Sequence, residues 1–241
     1  MAKASVIEAL KNPRKVILHI AHRLKVAFAL RVEGRVPFSY GEVASIWGVR
    51  GSHLPHFASR LYREVKLLNM ALGDQHVERS LEIGCGYGRL TPWIAEHSNQ
   101  HCAIEPEERL LCDAEKLNPD VRFHKALAQK LPYPDKYFDL CVAWTVLQHI
   151  PPSEIGKAVG EIKRVCKPAA IIILTEGVGR LRNDHYWERT LEEWVALMRP
   201  WELVWYVERK IEETFQGFAG LVMKFQLASM GAQEGSIIVQ E

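Results

Sequence analysis

No two cysteines of this 241-residue chain stand in C-x-x-C spacing, and their number is odd: Cys85, Cys102, Cys112, Cys141 and Cys166. That pattern supports no disulfide framework and reads as reduced, intracellular thiols. A long apolar run is missing too. Residues 16–30, VILHIAHRLKVAFAL, are interrupted by His19, His22, Arg23 and Lys25, which makes them too short and too charged to span a bilayer. No small-residue cleavage site follows; Arg31, Glu33 and Arg35 come instead, which argues against a signal peptide. Repeats and low-complexity stretches are absent. The expectation is a cytoplasmic protein, with peripheral membrane contact through the basic stretch at 14–31 kept as a minor reading.

What is present supports a folded core. With 48% hydrophobic and 25% charged residues the chain is neither disordered nor collagenous, and its length suits one large or two small domains. The charge is split unevenly. Residues 1–76 carry 12 Lys/Arg against 5 Asp/Glu, a balance of +7, whereas residues 77–241 carry 19 against 24, a balance of −5. In the basic part, Ser39 and Glu42 form a capping-box signature before Val43, Ile46 and Trp47. A second helix is predicted over 56–72, with Phe57, Leu61, Val65, Leu68 and Leu72 on one stripe and Gly73 as its stop. Residues 1–76 are therefore expected to be a helical extension on a domain spanning 77–241.

From residue 77 onward short apolar runs alternate with helical patterns. Strands are predicted at 79–83, 101–104, 121–124, 138–144 and 171–176. Helices are predicted at 89–97, at 107–117 and on the stripe Ile155, Ala158, Val159, Ile162, Val165. Such alternation implies an α/β, doubly wound, mostly parallel sheet. The runs 203–208 and 221–228 lack a long helix between them and are expected to pair antiparallel.

The most specific signal is LEIGCGYGRLT, residues 81–91, at a strand-to-helix junction. Gly84, Gly86 and Gly88 suit a tight turn and close approach of backbone to a ligand. A dinucleotide fingerprint would need its third glycine at 89, where Arg89 stands. The G-x-G-x-G spacing after Glu82 instead closely resembles the first motif of class I S-adenosylmethionine-dependent methyltransferases. Residues 126–150, with Leu-Pro-Tyr-Pro-Asp, Phe-Asp-Leu and Leu-Gln-His-Ile, and residues 161–176 extend the resemblance over about 79–176. It implies a seven-stranded Rossmann-like sheet, a loop (Glu82, Gly84, Cys85, Gly86, Gly88) curving under the methionine moiety of S-adenosyl-L-methionine, and an acid bonding the ribose hydroxyls. Glu105, followed by Pro106, stands 21 residues after Gly84 and fits that acid. Leu127 and Ala128 then fall at the adenine, and Trp144 and Thr145 at the end of the fourth strand. The family often has Asp where this chain has Leu127, so backbone at Ala128, apolar contact or Gln129 is expected to hold the adenine.

Methyl transfer from a sulfonium is an in-line displacement, in which the protein aligns two reactants and excludes water. The chain lacks the Asn/Asp-Pro-Pro-aromatic sequence of amino-group methylases, the Pro-Cys or Thr-Cys dipeptide of pyrimidine C5 enzymes, and acids after the fourth strand for a catechol-type metal site. The expected reaction is metal-independent methylation of a small organic acceptor, with a hydroxyl of a sugar, lipid or natural product ahead of nitrogen or carbon. A general base assists a hydroxyl; His149 and His185 are the candidates, with Glu176 as a third and Trp187 as a wall for the acceptor. Tyr62 or Arg63 is placed by analogy near the cofactor carboxylate. Two other readings stand beside this one: a nucleic-acid methyltransferase using the basic helices on phosphates, and a non-catalytic S-adenosylmethionine-binding regulatory subunit.

Overall fold

A computed structural model describes residues 57–180, 182–183, 185–210, 219–227 and 238–239. The chain divides into two units, residues 1–57 and 58–241, and the second holds the sheet and its helices. The helix expected after Ser39 and the stretch at 14–31 lie outside the described residues, as does the side chain of Tyr62.

Helix α1 (Phe57–Leu72) is the expected amphipathic helix. It turns Leu68, Ala71 and Leu72 onto the sheet, and Gly73 closes it by donating its N–H to the Asn69 carbonyl at 2.7 Å. The parallel strands follow: β1 (Val77–Ile83), β2 (Ser98–Ile104), β3 (Arg122–His124), β4 (Phe138–Trp144) and β5 (Cys166–Gly177). Between them lie α2 (Thr91–Ala95), α3 (Glu108–Leu117) and α4 (Ile155–Val165). Helix α2 is shorter than the predicted 89–97, because β2 begins at Ser98. The polar residues Ser98 to Gln100 carry no apolar alternation, yet they pair through backbone with Val77 to Arg79. In the same way β5 starts at Cys166, where it pairs with Phe138, before its apolar run begins.

Beyond β5 come a two-residue hairpin, β6 (Arg182–Asn183) and β7 (Tyr186–Trp187), then α5 (Leu191–Met198). The hairpin and α5 carry no strong run in the sequence, although Thr190 and Glu193 do form the capping box that opens α5. Strands β8 (Trp201–Lys210) and β9 (Ala219–Leu227) form the expected antiparallel pair, and the two-residue β10 (Ile238–Val239) lies beside β8. The sheet order is β10-β8-β9-β5-β4-β1-β2-β3. Seven strands thus make the sheet foreseen, with β10 as a short edge.

Alternation along the strands gives the sheet two apolar faces. Cys141 and Ala143 of β4, with Ile172 and Leu174 of β5, pack on Ile155, Ala158, Val159 and Ile162 of α4 and on Trp194 and Met198 of α5. Leu140, Val142, Trp144, Ile171 and Ile173 face the other way, against α1 and α2. Trp194 is fully buried. The chain runs from β1 outward to β3, then returns to β4 on the other side of β1. That reversal opens a crevice beyond the carboxyl ends of β1 and β4, where open α/β sheets bind ligands.

Candidate functional site

The turn after β1 forms one wall of the crevice. Gly84 has φ +66, and a Cβ built on it would lie 2.6 Å from Cγ2 of Val146. Gly86 has φ +58, and no heavy atom of the described residues comes within 4 Å of where its Cβ would stand. One glycine is thus required by packing against the neighbouring turn, and the other borders open space. The loop is fastened on several sides: Cys85 N–H donates to the Ile104 carbonyl at 3.0 Å, and the Asn118 amide donates to the Gly88 carbonyl at 3.1 Å. Burial pushes the Cys85 thiol up, so it is no nucleophile.

Glu105, at the end of β2, faces this loop with 2% of its surface exposed. Its Oε2 accepts from Gly86 N–H at 2.9 Å and its Oε1 from Glu107 N–H at 3.0 Å. Desolvation raises its pKa, and those two N–H donors oppose the rise. Pro106, next in the chain, is half-buried. Glu82, pointing to the α2 side, accepts from Thr91 Oγ1 at 2.6 Å and lies 3.6 Å from His101 Nε2. It braces the base of the loop through a buried network that continues from His101 Nδ1 to Ser80 Oγ at 2.7 Å.

The turn after β4 forms the opposite wall. Thr145 has φ 60, a left-handed conformation unfavourable for a β-branched residue. Its N–H donates to the Thr175 carbonyl at 2.6 Å. Glu176, fully buried at the end of β5, accepts from Val146 N–H at 3.3 Å, Leu147 N–H at 3.0 Å and Gln148 N–H at 3.0 Å. Its carboxylate therefore braces this turn, a duty at odds with service as the general base.

His149 ends that turn, half-buried. Its Nδ1 lies 2.9 Å from the His185 carbonyl, an acceptor without a proton, so Nδ1 carries the hydrogen and Nε2 is the basic nitrogen. The Gln148 amide nitrogen stands 3.4 Å from Nε2. Burial lowers the His149 pKa, the carbonyl contact opposing it, so the ring is neutral near pH 7. His185 meets His149 through its backbone, while its own residue is exposed. Tyr186 packs edge-on against His149 at 5.6 Å between ring centres. Arg189 ties the same segment to the turn, donating to the carbonyls of Leu147 at 3.3 Å, Ile150 at 2.8 Å and Trp187 at 3.0 Å. Trp187 is half-buried in the hairpin, paired with Arg182.

In the segment after β3, Leu127 is 56% exposed whereas Ala128 is buried. The segment after them is pinned to α4: Leu131 N–H donates to Glu161 Oε2 at 2.8 Å, and Arg164 reaches the Tyr133 carbonyl at 2.8 Å and Asp135 at 2.7 Å. An exposed leucine on an anchored segment offers an apolar surface to a flat ring.

Trp144 turns its indole toward α1. Its Nε1 donates at 3.2 Å to Oε1 of Glu64, and Glu64 also pairs with the Arg89 guanidinium. Sequence reading passed over Glu64, Gln148 and Arg189, whose partners are 25 to 80 residues away or are backbone groups. Arg63 is half-buried on α1. Among the described residues no cluster of three or more His, Cys, Asp or Glu is placed to hold a metal ion.

Open space at Gly86, a buried carboxylate facing it, and an apolar surface at Leu127 together fit an adenosyl cofactor whose ribose needs an acceptor. The model of the methyltransferase domain family matches residues 81–174, the segment from β1 to β5 that carries these groups. The chain carries a class I S-adenosylmethionine-dependent methyltransferase domain. The domain is 29% identical over 147 residues to the uncharacterised methyltransferase YcgJ of Bacillus subtilis, covering 53% of this chain and 57% of that protein. It is 24% identical over 126 residues to an uncharacterised methyltransferase of Synechocystis, covering 52% of this chain and 58% of the relative. The chain thus spans little more than half the length of these curated relatives. In fold it is similar to the N-methyltransferase NodS of Bradyrhizobium japonicum, solved with S-adenosyl-L-homocysteine, with TM-score 0.63 and 18% identity over 75% of this chain and 91% of NodS. S-adenosylmethionine is the methyltransferase domain's cofactor, and no described helix is long and apolar enough to cross a membrane.

Proposed function

We propose that the protein transfers a methyl group from S-adenosylmethionine to a hydroxyl of a small organic acceptor, a sugar, lipid or natural product. The observation that carries the acceptor side is His149, a neutral imidazole whose Nδ1–H is engaged by a carbonyl, on the turn that packs on the glycine loop through Val146. When bound, S-adenosylmethionine supplies an electrophilic methyl on a sulfonium. Glu105 accepts from the ribose hydroxyls in place of the Gly86 and Glu107 N–H groups. Gly84, Cys85, Gly86 and Gly88, backed by Glu82, present backbone to the methionine moiety, with Thr145 across the crevice. Leu127 and Ala128 cover the adenine, and Pro106 limits the ribose side. His149 takes the hydroxyl proton at Nε2, and His185 fixes the ring through its carbonyl. The protein works in the cytoplasm.

Calorimetry with S-adenosylhomocysteine and transfer of radiolabelled methyl into a fractionated metabolite extract test this reading. It expects saturable binding and label in a small molecule, with His149→Asn slowing transfer by about 10²–10⁴-fold while binding is unchanged. Asparagine keeps a donor for the His185 carbonyl but supplies no base. Because NodS is an N-methyltransferase, label on nitrogen is the outcome that moves the acceptor from oxygen. Label in RNA instead, or binding without transfer to any fraction, overturns the proposal in favour of a nucleic-acid enzyme or a regulatory subunit.

A further inference from the structure

The two walls of the crevice belong to different strand ends, yet one side chain of α1 touches both. Glu64 is 3% exposed. Its carboxylate takes both terminal nitrogens of Arg89, the residue directly after the loop's last glycine, and also the indole N–H of Trp144 at 3.2 Å, directly before the left-handed Thr145. Trp144 is 5% exposed, and the side chain of Arg89 is four-fifths covered. A buried carboxylate with a forked cation and an indole donor is directional, so it fixes where its partners stand as well as that they stay.

We propose that Glu64 is a positioning residue for methyl transfer. Through Arg89 it sets the exit of the glycine loop, through Trp144 it sets the start of the opposing turn, and so it holds the cofactor wall and the acceptor wall at a fixed separation. This inference rests on the cofactor reading above. It assigns to α1 a duty that its apolar stripe does not reveal: Leu68, Ala71 and Leu72 anchor the helix to the sheet, while Glu64, one turn before Leu68 on the same face, carries the polar contacts to Arg89 and Trp144. Arg89 need not touch the cofactor for its displacement to weaken binding, because the loop residues between Gly84 and Gly88 bind through backbone whose direction Arg89 helps to set, whereas Trp144 acts on the acceptor wall.

The test is S-adenosylhomocysteine binding by calorimetry on the full chain, in a double-substitution cycle of Glu64→Gln and Arg89→Met, with thermal unfolding and near-ultraviolet circular dichroism as controls. Trp144→Phe removes one donor, keeps an aromatic ring in the buried site, and keeps the test available if Glu64→Gln does not fold. The expected result is about a ten-fold loss of affinity for Glu64→Gln and a similar loss for Arg89→Met, with no further loss when the two are combined. Trp144→Phe leaves cofactor affinity within about two-fold but slows transfer to whichever acceptor the extract screen identifies, without raising the cofactor KM. A purely structural role would lower the unfolding temperature of all variants and leave the affinity of the folded fraction unchanged, which overturns the proposal. So would additive losses in the cycle. If the unsubstituted chain binds no S-adenosylhomocysteine, the cofactor reading itself has failed, an outcome separate from these.

Discussion

The glycines at 84 and 86 share a left-handed backbone but differ in what surrounds them, and that difference separates stability from binding. In Gly84→Ala the new methyl pays the left-handed conformation, roughly 1–2 kcal/mol. It also meets Val146 at 2.6 Å from Cγ2 and 2.9 Å from Cγ1, an overpacking cost of roughly 1–3 kcal/mol. The sum is roughly 2–5 kcal/mol, or about 4–20 °C of Tm for a domain of this size. Gly86→Ala carries the conformational cost alone, roughly 1–2 kcal/mol, because its methyl enters open space. That space is where the cofactor is proposed to lie, so S-adenosylhomocysteine affinity should fall at least about ten-fold in Gly86→Ala. Urea unfolding gives the first quantity and calorimetry the second. Adding Val146→Ala to Gly84→Ala should recover the overpacking share, a coupling of roughly 1–3 kcal/mol between two touching residues. The reasoning is refuted if Gly86→Ala unfolds as readily as Gly84→Ala, if it binds the ligand like the unsubstituted chain, or if Val146→Ala brings no relief.

Two further outcomes follow from burial. Because burial holds the His149 pKa below its ordinary 6.5, the unfolded chain takes up the proton first as pH falls. Stability should therefore drop as pH falls below about 6.5 and level off below the folded-state pKa; urea midpoints between about pH 5 and pH 7.5 should lose that slope in His149→Asn. Of the five thiols, Cys112 is exposed and Cys85, Cys102, Cys141 and Cys166 are buried. A thiol reagent should consequently label one group quickly in the native protein and the other four only on unfolding, and fast labelling of Cys141 would contradict the packed sheet.

Legibility in the sequence followed the range of the interactions. Strand β4 was read to its exact bounds because, Asp139 apart, every residue from Phe138 to Trp144 is apolar and buried. Glycine loop and Glu105 were readable because a turn and a strand end fix their spacing. The polar opening of β2 at Ser98 was not, since backbone pairing with β1 needs no apolar signal. Glu176 looked like a base because it is an acid at a strand end; only the fold reveals three backbone N–H groups converging on it. Glu64 was unremarked on a helix read for its stripe, as both its partners arrive from elsewhere in the chain. Thr190 and Glu193, by contrast, did carry a local signature of α5 that went unused.

The reversal of direction at β9 has a practical consequence. Gly220 pairs with Gly177 beside the crevice, while Gln226 pairs with Ile171 at the opposite edge of the sheet. At about 3.3 Å per residue, the six residues from Ile171 to Gly177 separate those edges by about 20 Å. A tether or fluorescent reporter attached near Leu227 would thus stand on the far side of the sheet from the glycine loop. Such a handle allows the protein to be immobilised, or its unfolding followed, with the crevice left open to ligand.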